Sequence, residues 1–304
     1  MRKIRKRTIT DAMLLSSSVM ENDHAEWVAN TAYTVGTYVI RPTTHRIYSC
    51  TGDVNGDVPP ETDTQNWNDE GPTNRWAMFD TKLNTVTEQA ESLTVQIQPG
   101  LIDSLAFLGA ECQTIHVEMV AEGEIVYEAT YNMIDPNANV GDWGGYFYEP
   151  VEQITYDLDA GSLVDLTLNN TATYSEGVLN VTLSAPGETV KLGMLVVGLG
   201  YDVGKTQNDP DLGIENFTLH TVDEWGNPTD RHAPAAKNWR GDVEIETDRF
   251  DAVFYELYRT KDDYSVWIPT SLHGSMIIYG RCEWRMKRKN STTTMITMEI
   301  EGTT

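Results

Sequence analysis

The chain has 304 residues, of which 40% are hydrophobic and 22% charged, and a formal net charge of -24. That length holds two or three domains with cores of their own, and that composition is globular rather than disordered. The acidity argues against a protein that grips phosphate backbones, and no apolar run approaches the roughly 18 residues of a membrane-spanning helix.

Residues 1–22 read as an extended arm or a strand with a basic start. Arg2, Lys3, Arg5, Lys6 and Arg7 crowd it. A second basic stretch holds Arg281, Arg285, Lys287, Arg288 and Lys289 near the other end. On so acidic a chain, such patches are either solvated faces or contacts to an acidic neighbour, a different subunit or a copy of this chain. Arg2, Lys3, Arg5, Lys6, Arg7, Arg285, Lys287 and Arg288 are the candidate assembly contacts. The short apolar run Ala12 to Leu15 is broken by Asp11 and followed by Ser16 to Ser18, so a secretion signal is not expected.

Residues 23–80 form an aromatic-rich, turn-rich unit holding Trp27, Tyr33, Tyr38, Tyr48, Trp67 and Trp76. Turn signals fall at Asn55-Gly56, Pro59-Pro60 and Gly71-Pro72, with short strands expected at Tyr38 to Arg41 and Arg46 to Thr51. The whole chain carries 8 Trp and 14 Tyr against 6 Phe, so amphipathic rings suited to half-buried positions dominate.

Residues 81–200 read as a β-sandwich of jelly-roll type. In Ser92 to Gln98, Leu93, Val95 and Ile97 alternate with polar residues; in Thr114 to Val120, Ile115, Val117 and Met119 do the same. Further strands are expected at Glu124 to Tyr131, Gln153 to Leu158, Leu163 to Asn169, Gly177 to Leu183 and Val190 to Val197, with a turn at Pro186-Gly187 between the last two.

Residues 201–304 open with ordered loops and one or two strands near Ile214 to Val222. Thr247 to Arg259 has the spacing of a helix capped by Thr247 or Asp248, with Phe250, Val253, Phe254, Leu257 and Tyr258 on its apolar stripe. Strands then follow at Val266 to Pro269, Met276 to Arg285 and Thr293 to Glu301. The fold class is mainly β.

Motifs for chemistry fail on spacing. A phosphate loop needs Gly, four residues, then Gly-Lys-Thr. Gly204-Lys205-Thr206 is present, but Leu199 stands where the first glycine belongs. Asp53, Asn55 and Asp57 alternate as in a calcium loop, yet the closing position is Thr64 instead of Glu. The six histidines are scattered, and the three cysteines, Cys50, Cys112 and Cys282, form no CxxC pair. No catalytic residue, metal site or cofactor is expected, and the chain reads as a non-enzyme.

Residues 26–70 resemble the small carbohydrate-binding modules of the family 5 and 12 type. The resemblance lies in Trp27, Ala32-Tyr33, Gly36, Val39, Arg46 to Cys50, Pro59-Pro60 and Trp67. In such modules exposed aromatics stack on sugar rings, which marks Tyr33, Tyr38 and Trp67 as carbohydrate-binding candidates. The run GPTNRWAMFD at 71–80 is similar to one in tail-associated virion proteins of tailed bacteriophages. Val190 to Gly198, Asp223 to Asn227, Arg249 to Leu257, Val266 to Pro269 and Met298 to Gly302 follow in the order seen there. The closing helix and sheet are similar to the ring domains of tail-tube and distal tail proteins. The resemblance implies a structural protein of the virion tail or baseplate, assembled in the host cytoplasm. Its implied partners are other tail proteins, copies of itself in a ring and host cell-surface glycan, with no specific nucleic-acid binding and no membrane insertion. A receptor-binding or decoration protein recognising host carbohydrate is the alternative.

Overall fold

The structure is a computed structural model that describes residues 1–133, 174–207, 210–222, 225, 228–231, 235–270 and 276–303. It is mainly β. The strands expected at Gln153 to Leu158 and Leu163 to Asn169 lie outside the described residues.

In chain order the described strands open with β1 (Arg2–Lys6) and β2 (Leu14–Ser17). The aromatic unit contributes β3 (Tyr38–Arg41), β4 (Arg46–Cys50) and β5 (Trp67–Pro72), paired in the order β3-β4-β5 as a sheet of its own. A single-turn helix, α1 (Asn74–Ala77), follows. The next strands are β6 (Thr87–Ile97), β7 (Ser104–Glu111), β8 (Thr114–Ala121), β9 (Glu124–Asn132) and β10 (Val178–Asp202). The last third holds β11 (Lys205–Thr206), β12 (Asp211–Asn216), β13 (Leu219–Val222), β14 (Pro228–Arg231), β15 (Ala235–Glu246), helix α2 (Phe250–Arg259), β16 (Ser265–Ile268), β17 (Ile278–Arg288) and β18 (Thr293–Gly302).

The sandwich-like part is built around β10. Where two strands and a turn at Pro186-Gly187 were expected, the chain runs as one strand of 25 residues with an irregularity between Ser184 and Thr189. Along one side β10 pairs with β6; along the other it pairs first with β8 and then with β7. The irregularities in all three lines fall at one level. Glu91 in β6 has φ +62, Gly187 in β10 has φ +84, and Cys112-Gln113 separates β7 from β8. Between Ser184↔Ser92 and Thr189↔Ala90 four residues of β10 stand against Glu91 alone, so the turn-like dipeptide is taken up as extra residues that bulge from the ladder and does not reverse the chain. The alternation read from sequence then builds the core: Leu93, Val95, Ile97, Ile115, Val117, Met119, Leu179, Val181 and Leu183 are fully buried together.

Of the two readings of the basic start, an extended arm or a strand, the structure holds the strand. β1 lies inside the sheet, pairing antiparallel with β10 through Arg2↔Asp202 to Lys6↔Gly198 and with β16 through Arg2↔Ile268 to Arg5↔Ser265. It joins the sandwich-like part to the C-terminal sheet, whose order continues β16-β17-β18-β15, with β11 and β12 sharing the outer side of β15. α2 covers one face of that sheet, burying Val253 and Leu257 against Trp239, Val243, Ile296, Met298 and Ile300. Its predicted cap is absent. Thr247–Arg249 forms a 3-10 turn with no side-chain cap bond, and the Thr247 hydroxyl pairs instead with the Thr294 hydroxyl at 3.2 Å.

Candidate functional site

The aromatic module folds around rings. Trp27, Tyr33, Val39, Tyr48, Cys50 and Trp67 are all buried in one cluster. So small a unit has little aliphatic surface to bury, and large amphipathic rings fill the deficit. Tyr33 meets Trp67 edge to face with centroids 5.2 Å apart, and its hydroxyl accepts from the Val28 N–H at 2.7 Å. Gly56, at φ +63, lets the Asn55-Gly56 turn close on that ring, since a Cβ there would meet Tyr33 Cε2 at 3.0 Å and the Thr31 carbonyl at 2.8 Å. Arg41 lies over the Trp27 ring at 4.8 Å and is held by a two-pronged contact with Glu61 at 2.7 and 3.0 Å. That guanidinium keeps the Glu61 carboxyl below its ordinary range.

Two of the three carbohydrate-binding candidates are therefore corrected. Tyr33 is 9% exposed and Trp67 is 2% exposed; both are core, with no flat face left for a sugar. Tyr38 is 46% exposed at the start of β3 and stacks against His24 with centroids 5.2 Å apart and an interplanar angle of 29°. A cleft of about 310 Å³ opens between Tyr48, Pro60, Glu61, Thr64, Trp67, Asn68 and Asp69, but its two rings, Tyr48 and Trp67, are buried.

The run at 71–80 is the joint between the module and the rest of the chain. The Asn74 side chain makes both hydrogen bonds to the Glu88 backbone, donating to its carbonyl at 2.9 Å and accepting from its N–H at 2.7 Å. The Asn74 N–H donates to Asp23, and the buried Thr87 hydroxyl donates to the Asn74 carbonyl while accepting from the Met78 N–H. Trp76 stacks on His45 at 4.0 Å. His45, at φ +55 in the β3–β4 turn, reaches Asp11 at 2.8 Å and Glu21 at 3.0 Å. Glu21 also accepts from the Thr73 hydroxyl at 2.9 Å. This node of His45, Asp11, Glu21 and Trp76 was not legible in the sequence, because its members come from separate segments and share no spacing.

The basic candidates divide. Lys3 is buried, donates to the Thr260 hydroxyl and lies 5.1 Å from the centre of the Trp267 ring. Lys6 donates to the Asp80 carbonyl and lies 5.7 Å from the Tyr279 ring. Burial pushes both ammonium groups down to about 8. Arg2 donates to Ser104 at 2.6 Å. These three side chains bind inside their own molecule, which corrects their assignment as assembly contacts. Arg5 and Arg7 are exposed, Arg5 within 3.6 Å of Asp263. Arg285, Lys287 and Arg288 are exposed on β17.

The three cysteines are free and buried, and burial raises each thiol, Cys112 and Cys282 to about 12. Among the described residues no group of three or more His, Cys, Asp and Glu is arranged to hold a metal ion. Asp53, read as the opening of a calcium-like pattern, accepts from the Val35 N–H at 3.1 Å. The Gly204-Lys205-Thr206 segment runs into β11, which pairs with β15, and does not open a helix. No family model, no curated protein and no solved structure matches this chain.

Proposed function

We propose that the chain is a non-enzymatic structural component of a tailed-phage virion, a tail-tip, distal-tail or tail-attachment protein that displays the aromatic module from a two-part β body. The observation that carries the reading is the place of the run at 71–80. The segment with the most specific resemblance to tail-associated proteins is the one whose Asn74 and Trp76 fix the module to the body. A rigid joint suits a protein that must hold a module at a set position on a particle. The acidic balance supports the same reading, since a negative surface beside a DNA path repels the duplex.

The test is to locate the chain in assembled particles by electron microscopy, with the module replaced by a density-adding fusion. Extra density at the tail end supports the proposal; its absence from purified virions refutes it. Glycan recognition is a second reading, and the exposed Tyr38 ring beside His24 favours it. One stacked ring contributes on the order of 1 kcal/mol beyond area burial, so adhesion would come from many copies on one particle.

A further inference from the structure

We infer that the C-terminal sheet joins head to tail with a second copy of this chain, β12 of one copy pairing with the distal half of β17 in the next. The inference rests on the structural-component reading above and names the surface it uses. Both edges are open among the described residues. β12 pairs with β15 on one side, and no described strand pairs on the other. β17 pairs with β18 from Gly280 to Arg288, but β16 covers only Ile278 to Gly280 on its other side. From Cys282 to Arg288 that side has no described strand.

Open edges carry unpaired N–H and C=O groups and invite another strand. Here the side chains choose which. β12 carries Asp211 and Glu215, both exposed, and no cation. The distal part of β17 carries Arg285, Lys287 and Arg288, all exposed, against Glu283 alone. Each edge repels its own kind and attracts the other, which disfavours a two-fold pairing and favours a head-to-tail one.

The apolar surfaces agree. Leu212 and Ile214 are 37% and 73% exposed. Leu212 sits opposite Trp239, so the two point to the face that α2 covers. Trp284 and Met286 extend that same face at the far edge, half-buried, with Phe254 of α2 edge-on to Trp284 at 5.4 Å. A neighbour's Leu212 and Ile214 would continue the core across the joint. Strand direction agrees too. β12, β15, β18 and β17 alternate in direction. In copies related by rotation about an axis along the strands, β17 and the incoming β12 therefore run antiparallel and preserve the alternation.

The experiment is sedimentation velocity on the full chain at low salt with reciprocal charge reversal. Asp211→Lys with Glu215→Lys, and separately Arg285→Glu with Lys287→Glu, should each weaken self-association by about 10-fold or more. Combining all four should restore it. Circular dichroism and melting temperature check that each variant is folded. A folded four-fold variant that stays dissociated overturns the inference, as does either double variant that associates like the parent. A parent chain that stays monomeric at every concentration overturns it as well. If that monomer is still found at the tail end of particles, the structural reading stands and only this interface falls.

Discussion

Replacing Lys3 with Met is expected to remove a rise in stability that the parent shows above neutral pH. Burial is the main reason the Lys3 ammonium sits near 8 instead of 10.5, with Glu256, Cys282 and Asp263 pulling the other way. The native chain gives up this proton near pH 8, whereas the unfolded chain keeps it to 10.5. Between those values the unfolded state binds more protons, so stability rises with pH. At about 1.4 kcal/mol per pH unit, the full window is worth on the order of 3 kcal/mol, and the step from pH 7 to pH 9 about 1.4 kcal/mol. Cys112 and Cys282 act in the opposite sense above about pH 9, because their thiols hold protons that the unfolded chain releases. The useful quantity is thus the parent-minus-variant difference, in which shared groups cancel. Urea unfolding followed by tryptophan fluorescence at pH 7, 8 and 9 measures it. The parent should gain on Lys3→Met across the series. Parallel curves from pH 7 to 9 would refute the claim that this ammonium is buried charged at neutral pH.

Asn74→Ala removes both bonds to the Glu88 backbone and should cost about 2 kcal/mol at the joint; limited proteolysis should then cut between module and body faster than in the parent. Trp67→Ala should unfold the module at a cost of about 3–5 kcal/mol, seen as loss of its exchange-protected amides, with the body's protection intact. Tyr38→Ala should leave that protection unchanged, and reduced adsorption of particles to host cells would be its only effect if the exposed ring meets glycan. Gly198→Ala would drive a Cβ into the Arg5 carbonyl across the β1–β10 pair, so it should abolish soluble expression, whereas Gly36→Ala meets no atom within 4 Å and should cost only about 1 kcal/mol for its positive φ.

How much of this was legible depended on whether a signal was local. The alternation of Leu93, Val95 and Ile97 and of Ile115, Val117 and Met119 marked buried faces that the structure confirms. The stripe of α2 was equally plain, with Val253 and Leu257 the buried pair. β7 went unread because Ser104 to Ala110 is almost continuously apolar and small, a pattern that period 2 does not pick out. For β1 the sequence left an arm and a strand open, and a run of cations gave no sign that the strand is interior. Only tertiary partners, Thr260, Trp267 and the Asp80 carbonyl, make its lysines tolerable indoors. The same limit governs the module. Sequence marks Tyr33, Tyr38 and Trp67 as amphipathic rings alike, and which ring faces outward is set by packing across a sheet of three strands.

The position of β1 also dictates an order of events. Lys3 meets Thr260 across 257 positions of chain, and both strands that flank β1 are synthesised long after it. At about 5–20 residues per second, translation leaves this strand waiting through the appearance of the module, the bent ribbon and α2 before β16 exists to enclose it. Contacts of such span slow folding, because a long loop must close before they form. The module, whose partners are all near in sequence, can form early and unaided. The two halves of the body can be sewn together only once β16 has appeared, by a strand that left the ribosome long before it.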